Sequence, residues 1–220
     1  LFSLPATVGA GLQAPGYTAR LGESQHGGVT MRIESSDAAA VRVAPNASTA
    51  GTAFIEVFIP DGQTDVTYTI QGIEGASLPA APTLTASALG FTTATGTVNV
   101  VQPAFRVEGL TTSTTSLSTD TAFYVALGLP SAGNGNLNAI QSVRVGSGGL
   151  TATITNSNAA VGQLTTLAGS GQSRTVTIAE GSPYSAGSVA TGGVAFDPIG
   201  GGTTTVAASI PGVIATAAAT

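Results

Sequence analysis

The sequence predicts an all-β chain of two tandem sandwiches. Three observations carry that expectation: a pattern that recurs at domain length, short runs in which apolar and polar residues alternate, and turn residues at close spacing. The recurrence pairs Val29 to Ala38 with Leu150 to Ala159, about 121 positions later. Each stretch follows a glycine pair, Gly27-Gly28 and Gly148-Gly149, and Asp37 falls opposite Asn158, both turn formers. Ala86 to Phe91 matches Ala208 to Val213 at nearly the same shift. A period of about 120 residues is a whole domain and not one rung of a solenoid. The boundary falls near Gln102-Pro103-Ala104, which gives residues 1–103 and 104–220 as the two repeats.

Within each repeat the expected elements are strands. Val29, Met31 and Ile33 alternate with Thr30, Arg32 and Glu34, the period of a half-buried strand. Val41/Val43, Val66/Tyr68/Ile70, Phe105/Val107, Phe123/Val125/Leu127, Val143/Val145 and Val176/Ile178 repeat the pattern, and Ile55 to Ile59 is a strand core. Pro60-Asp61-Gly62, Gly133 to Asn136, Gly146 to Gly149, Gly181-Ser182-Pro183 and Gly200-Gly201-Gly202 punctuate them. Asp37 to Ala40 is the one helix-compatible stretch, and four residues cannot repay helix nucleation. About seven strands in 100–120 residues is the size of an immunoglobulin-like sandwich. The fold class is therefore all-β, two tandem immunoglobulin-like β-sandwich domains.

The ends break the pattern. The first repeat finishes on Thr97 to Val101, an evident strand, whereas Thr220 aligns near Val98. The second repeat is thus expected to lack its own last strand and to take one from a neighbour. Leu1, Phe2, Ser3 and Leu4 read as the tail of a strand like Phe123 to Leu127, and they are the candidate strand-exchange segment.

Composition narrows function. Apolar residues make up 42% with mean hydropathy +0.35, enough for packed cores. Charged residues make up only 8%, against about 25% in ordinary soluble domains. All six basic residues are arginines, scattered singly, and the net charge is −5, so a nucleic-acid partner is not expected. No apolar run of about 18 residues is present, so no membrane span is expected. Cysteine is absent, which leaves no disulfide or thiolate site. The Thr, Ser and Gly richness and the missing lysine point to an extracellular or cell-surface location. The start on Leu1, without a basic signal-type stretch, reads as a segment of mature protein.

The run Thr83 to Phe91, continued by Thr97-Val98-Asn99-Val100, resembles the closing strands of tandem bacterial immunoglobulin-like (Big-type) repeats. The resemblance implies repeats of secreted and surface proteins, used as stalks, adhesin shafts and fibre units. The Cys pair and Trp of antibody domains are missing.

Chemistry is sparse. His26 is the only histidine and sits beside Gly27-Gly28 in an expected turn, where it reads as a solvated loop residue. No catalytic residue, cofactor or metal site is expected, and the chain is read as non-enzymatic. Asp61 and Asp65 flank one turn, but calcium sites gather more carboxylates than two. Asn46-Ala47-Ser48 is a formal N-glycosylation acceptor. Tyr17 and Tyr184 lie in expected loops and are the candidate ligand contacts; most phenylalanines fit core positions. The leading expectation is a structural subunit of a fibre, sheath or surface layer, partnering with copies of itself. The alternatives are an adhesin or glycan-binding module and a spacer of a larger secreted protein.

Overall fold

A computed structural model of the chain describes residues Phe2 to Ala217. The chain forms two compact units. The first comprises the chain up to Gln102 together with Arg144–Ser147, and the second Pro103–Val143 together with the residues from Gly148 onward. The small excursion at Arg144–Ser147 is a departure from the simple division at residue 103.

The first unit contains β1 (Thr7–Gly9), β2 (Leu12–Arg20), β3 (Val29–Ser35), β4 (Val41–Ala44), β5 (Phe54–Ile59), β6 (Asp65–Gly72), β7 (Thr83–Ala88), β8 (Ala94–Thr97) and β9 (Asn99–Val101). One sheet has the order β2-β6-β4 and the other β5-β3-β7-β8, while β1 pairs with β9 in parallel. Inward side chains of both sheets, among them Ile33, Ile59, Tyr68, Ile70, Leu84, Val98 and Val100, form its core.

The rest of the chain supplies β10 (Ala104–Glu108), β11 (Thr121–Pro130), β12 (Leu137–Ile140), β13 (Ser142–Val143), β14 (Leu150–Asn156), β15 (Gly162–Thr166), β16 (Gly169–Gly171), β17 (Ser173–Ile178), β18 (Val194–Pro198), β19 (Val206–Ser209) and β20 (Ile214–Ala215). In the second unit one sheet runs β16-β15-β18-β11-β10-β20, with β12 also on β11, and the other runs β17-β14-β19.

The two pairing schemes correspond. β3 lies between β5 and β7 as β14 lies between β17 and β19. The set β2-β6-β4 recurs as β11-β18-β15. Along β3 and β14 the order of exposed and buried positions is identical. Ile33 and Ile154 are both fully buried and stand opposite Ala86 and Ala208 respectively. The turns agree as well. The Asp37 carboxylate accepts from the Ala39 amide at 2.9 Å, and the Asn158 side chain accepts from the Ala160 amide at 3.1 Å. Both are turns that a short polar side chain closes on its own backbone. Ser36 and Thr83 exchange two bonds, and Ser157 and Thr205 exchange the same two. The fold is thus all-β, with two tandem immunoglobulin-like sandwiches.

Several expectations need correction. Phe2 pairs with Ala19, and Ser3 bonds the backbone of Thr18 in both directions. Thr97 to Val101 is not one strand. It breaks at the fully buried Val98, where the chain leaves β7 to join β1. Asp37 to Ala40, by contrast, forms a turn and no helix, as its length implies. Phe54 and Phe58 are outside the core, 41% and 64% exposed, because the alternation that turns Ile55 and Ile59 inward turns them outward. Phe54 lies beneath the Arg32 guanidinium, 3.5 Å from its ring centroid.

Ile33→Asp and Ile154→Asp each place an unpaired carboxylate in a sealed core, at a cost of about 3 kcal/mol or more. Each should unfold its own unit in a two-dimensional NMR spectrum while the signals of the other persist. Retention of both sets of signals in either variant would contradict the shared core position.

Candidate functional site

His26 lies in the turn that precedes β3, and its polar atoms are satisfied locally. Its Nε2 is 2.9 Å from the Gln63 carbonyl, and its Nδ1 accepts from the Gly28 amide at 3.1 Å. The ring meets Phe91 edge-on at 6.0 Å. Both ring nitrogens are engaged by backbone groups, while the nearby Glu23 and Asp61 carboxylates accept from backbone amides.

The two acids of the neighbouring turn are held separately. The Asp61 carboxylate accepts from the backbone amides of Gly27 and His26, both at 2.8 Å, and these bonds hold its pKa below the usual aspartate value. Asp65 forms a two-point ion pair with Arg20, which lowers its pKa too. Each has its own partner, and no cluster of three or more potential metal ligands occurs among the described residues.

The remaining candidates divide. Tyr17 is within β2 and not in a loop. It is half-buried against Tyr68, with ring centroids 6.4 Å apart, and burial raises its pKa. Leu1 lies outside the described residues. Phe2 stacks on Tyr68 at 5.8 Å, and the Ser3 carbonyl accepts from the Tyr68 hydroxyl, so both are engaged within their own unit. Leu4 packs against the same core. Asn46 is exposed in a turn, where its side-chain oxygen accepts from Ser48 and Thr49.

Tyr184 is 42% exposed and belongs to a larger patch of the second unit. It bridges to Ala126 of β11, and its ring meets that of Tyr124 edge-on at 5.6 Å. The Tyr124 hydroxyl donates to Glu108 at 3.1 Å, which raises the pKa of the phenol. Glu108 also pairs with Arg106, and Arg106 donates to the Asn136 side chain at 2.8 Å. Two aromatic rings, a carboxylate, a guanidinium and an amide thus share one face of β10 and β11. Such a set can stack on an apolar ring face and hydrogen-bond hydroxyls. The sequence reading missed Tyr124, Glu108, Arg106 and Asn136. The alternation that turns Phe105 inward was a signal for Arg106 on the opposite face, but the Glu108–Tyr124 register depends on how β10 and β11 pair.

The other outward face of the second unit is plain. Across β14 and β17 the facing pairs are Thr151–Thr177, Thr153–Thr175 and Thr155–Ser173. These residues carry only hydroxyls, and β17 is an edge strand.

No family model matches this chain, and no curated protein matches it. Among solved structures it is similar to the calcium binding domain CBD12 of CALX1.1 at 10% identity, covering 92% of this chain and 75% of that one, with a TM-score of 0.33. A second is CBD12 from CALX1.2, at 9% identity, 92% and 76% coverage and a TM-score of 0.33. No helix among the described residues is long and apolar enough to cross a membrane.

Asp61, Asp65 and Glu34, all in the first unit, have lowered pKa values through amide or arginine partners. Their contribution is present above the unfolded aspartate and glutamate values of about 4 and is lost as pH falls through the lower folded values. The first unit should lose stability on acidification from about pH 5 to pH 2. Met31 is the only methionine and is buried in this unit, so its methyl NMR signal reports the change. Unchanged thermal stability of that signal over this range would contradict these pairings.

Proposed function

We propose that the chain is a structural subunit of an extracellular or cell-surface assembly that associates with copies of itself through its sandwich faces. The observation that supports this most is the hydroxyl face of β14 and β17. Bringing two such faces together strips no charge of its water, so the penalty that opposes most surface contacts is small. The adjoining edge of β17 adds main-chain donors and acceptors, and its one charge, Arg174, is folded onto the Gly169 and Ser170 carbonyls. The kinship with bacterial Big-type repeats belongs to the same reading and rests on Thr83 to Phe91 and Thr97 to Val100.

The Tyr124–Tyr184 patch favours a second reading, a glycan-binding surface module. Its aromatic rings and hydrogen-bonding side chains suit the two faces of a sugar.

Sedimentation velocity over a range of concentrations should show reversible association of the wild-type chain. Thr153→Lys with Thr175→Lys should weaken it at least tenfold, because like charges then meet across the contact. A chain that stays monomeric up to about 1 mM, a threshold equivalent to roughly 4 kcal/mol, overturns the first reading. Glycan-array binding that disappears in Tyr184→Ala would support the second, and no binding by the wild-type chain would remove it.

A further inference from the structure

We infer that the second unit carries a docking groove for one added β-strand, an extended uncharged segment with β-branched residues at alternate positions. The first unit shows what such a strand looks like in place. There, β9 and the preceding Val98 lie between two backbone walls. On one side Asn99 donates to the Ala6 carbonyl at 3.1 Å and Ala10 donates to the Val101 carbonyl at 2.9 Å. On the other, Val98 donates to the Pro82 carbonyl at 3.1 Å and Val100 to the Ala80 carbonyl at 2.7 Å. Val98 and Val100 are fully buried between them.

Both walls recur in the second unit. Thr205 is the counterpart of Thr83, since each exchanges the same two bonds with its serine partner, Ser157 or Ser36. Thr204 and Gly202 therefore stand where Pro82 and Ala80 stand. The other wall is the segment from Leu110 to Ser116. It follows β10, which pairs with β11, just as β1 follows the Phe2–Ser3 segment that pairs with β2. Between these walls is a groove of about 550 Å³, floored by Val161, Phe196 and Val206. That volume lies in the range of roughly 300–1,000 Å³ of built ligand clefts. The corresponding floor in the first unit, Ala40, Ile70 and Leu84, is sealed to 2%, 0% and 0% exposure. In the second unit the values are 8%, 6% and 5%. β20 pairs in parallel with Ala104 and Phe105 at the start of β10, and Thr216 donates to the Phe105 carbonyl at 3.1 Å; none of these residues lines the groove.

The groove is held open by bonds that need no occupant. The Thr204 hydroxyl donates to the Asn156 side chain and accepts from the Asn158 amide at 3.1 Å. The Asn158 amide group donates to the Thr203 carbonyl at 3.3 Å. Gly202 has φ +137°, a region that residues with a Cβ rarely adopt, and a Cβ on Gly200 would strike the Ala160 carbonyl. A preformed groove spares a binding strand the cost of ordering its site. Neither the walls nor the floor include a charged side chain, so a strand with charges at its inward positions would lose their hydration without gaining a partner. The occupant is thus a partner strand with the chemistry of Val98 and Val100. It lies on a surface separate from the β14–β17 face, so it stands or falls independently of self-association there.

The test adds a capped synthetic peptide with the sequence of Thr97 to Gln102 to the 220-residue chain, followed by amide NMR and hydrogen exchange. Saturable shifts confined to residues 110–116 and 200–206 are expected, with a Kd of about 1 mM or tighter and slowed exchange at Gly202. A peptide carrying aspartate in place of both Val98 and Val100 should bind at least tenfold more weakly. The inference is overturned by an absence of saturable shifts, by equal binding of the aspartate peptide, or by shifts at Ala6 to Ala10 and Ala80 to Pro82. Those last shifts would place the peptide in the first unit, in exchange for β9.

Discussion

The inward isoleucine of the central strand is the point on which each unit is built. Ile33 and Ile154 sit on β3 and β14, flanked on both sides by hydrogen-bonded neighbours and closed to solvent. A strand bonded along both edges has its register set twice, and a slip of one residue would turn every inward side chain to water. Burying one such side chain contributes about 1.5–3 kcal/mol. The gain is available in only one register, so the flanking strands, the turns and the outward faces follow from it. The same buried order along both strands, despite different outward residues, shows that the inward face carries the specification.

The outward faces are where the two units diverge. On β3 and β5 the outward residues include Arg32, Glu34 and Glu56, joined in an ion-paired group beside exposed Phe54 and Phe58. On β14 and β17 the same positions carry hydroxyls. Exposed pairs such as Arg32–Glu34 add little stability because water screens them. Their loss in the second unit costs that unit little and changes what the surface can meet. A charged face repels or selects its neighbours, whereas a hydroxyl face accepts any surface of matching shape and polarity.

The closing strand separates the two units in a more consequential way. In the first, β8 and β9 carry the chain from β7 across to β1, and Val98 and Val100 seal that end of the core. In the second, the chain leaves β19 for β20 on the opposite sheet after a short turn. One core is thus closed by side chains and the other ends at a groove. The Asn156–Thr204 bond keeps the groove's wall in place, so an added strand would find its hydrogen-bonding partners already aligned.

Much of the fold was legible because it depends on local alternation. Val29, Met31 and Ile33 announce a strand, the match with Leu150 to Ala159 announces a second copy, and Asp37 with Asn158 announces the same turn. Composition alone pointed to an uncharged exterior. What depends on distant partners was not legible. Leu1 to Leu4 resembled a strand tail in composition, but only the pairing with Ala19 and Thr18 shows that Phe2 and Ser3 begin the sheet beside β2. Tyr17 read as a loop residue because Pro15-Gly16 precedes it, and a register shift in the β2–β6 ladder carries it back into the sheet. The Tyr124–Tyr184 contact joins residues from separate strands and loops, and the groove exists only where three separate stretches converge. Alternation is written into neighbouring residues and can be read from them. Contacts between segments far apart in the chain are set by packing, which the order of residues determines only through the folded whole.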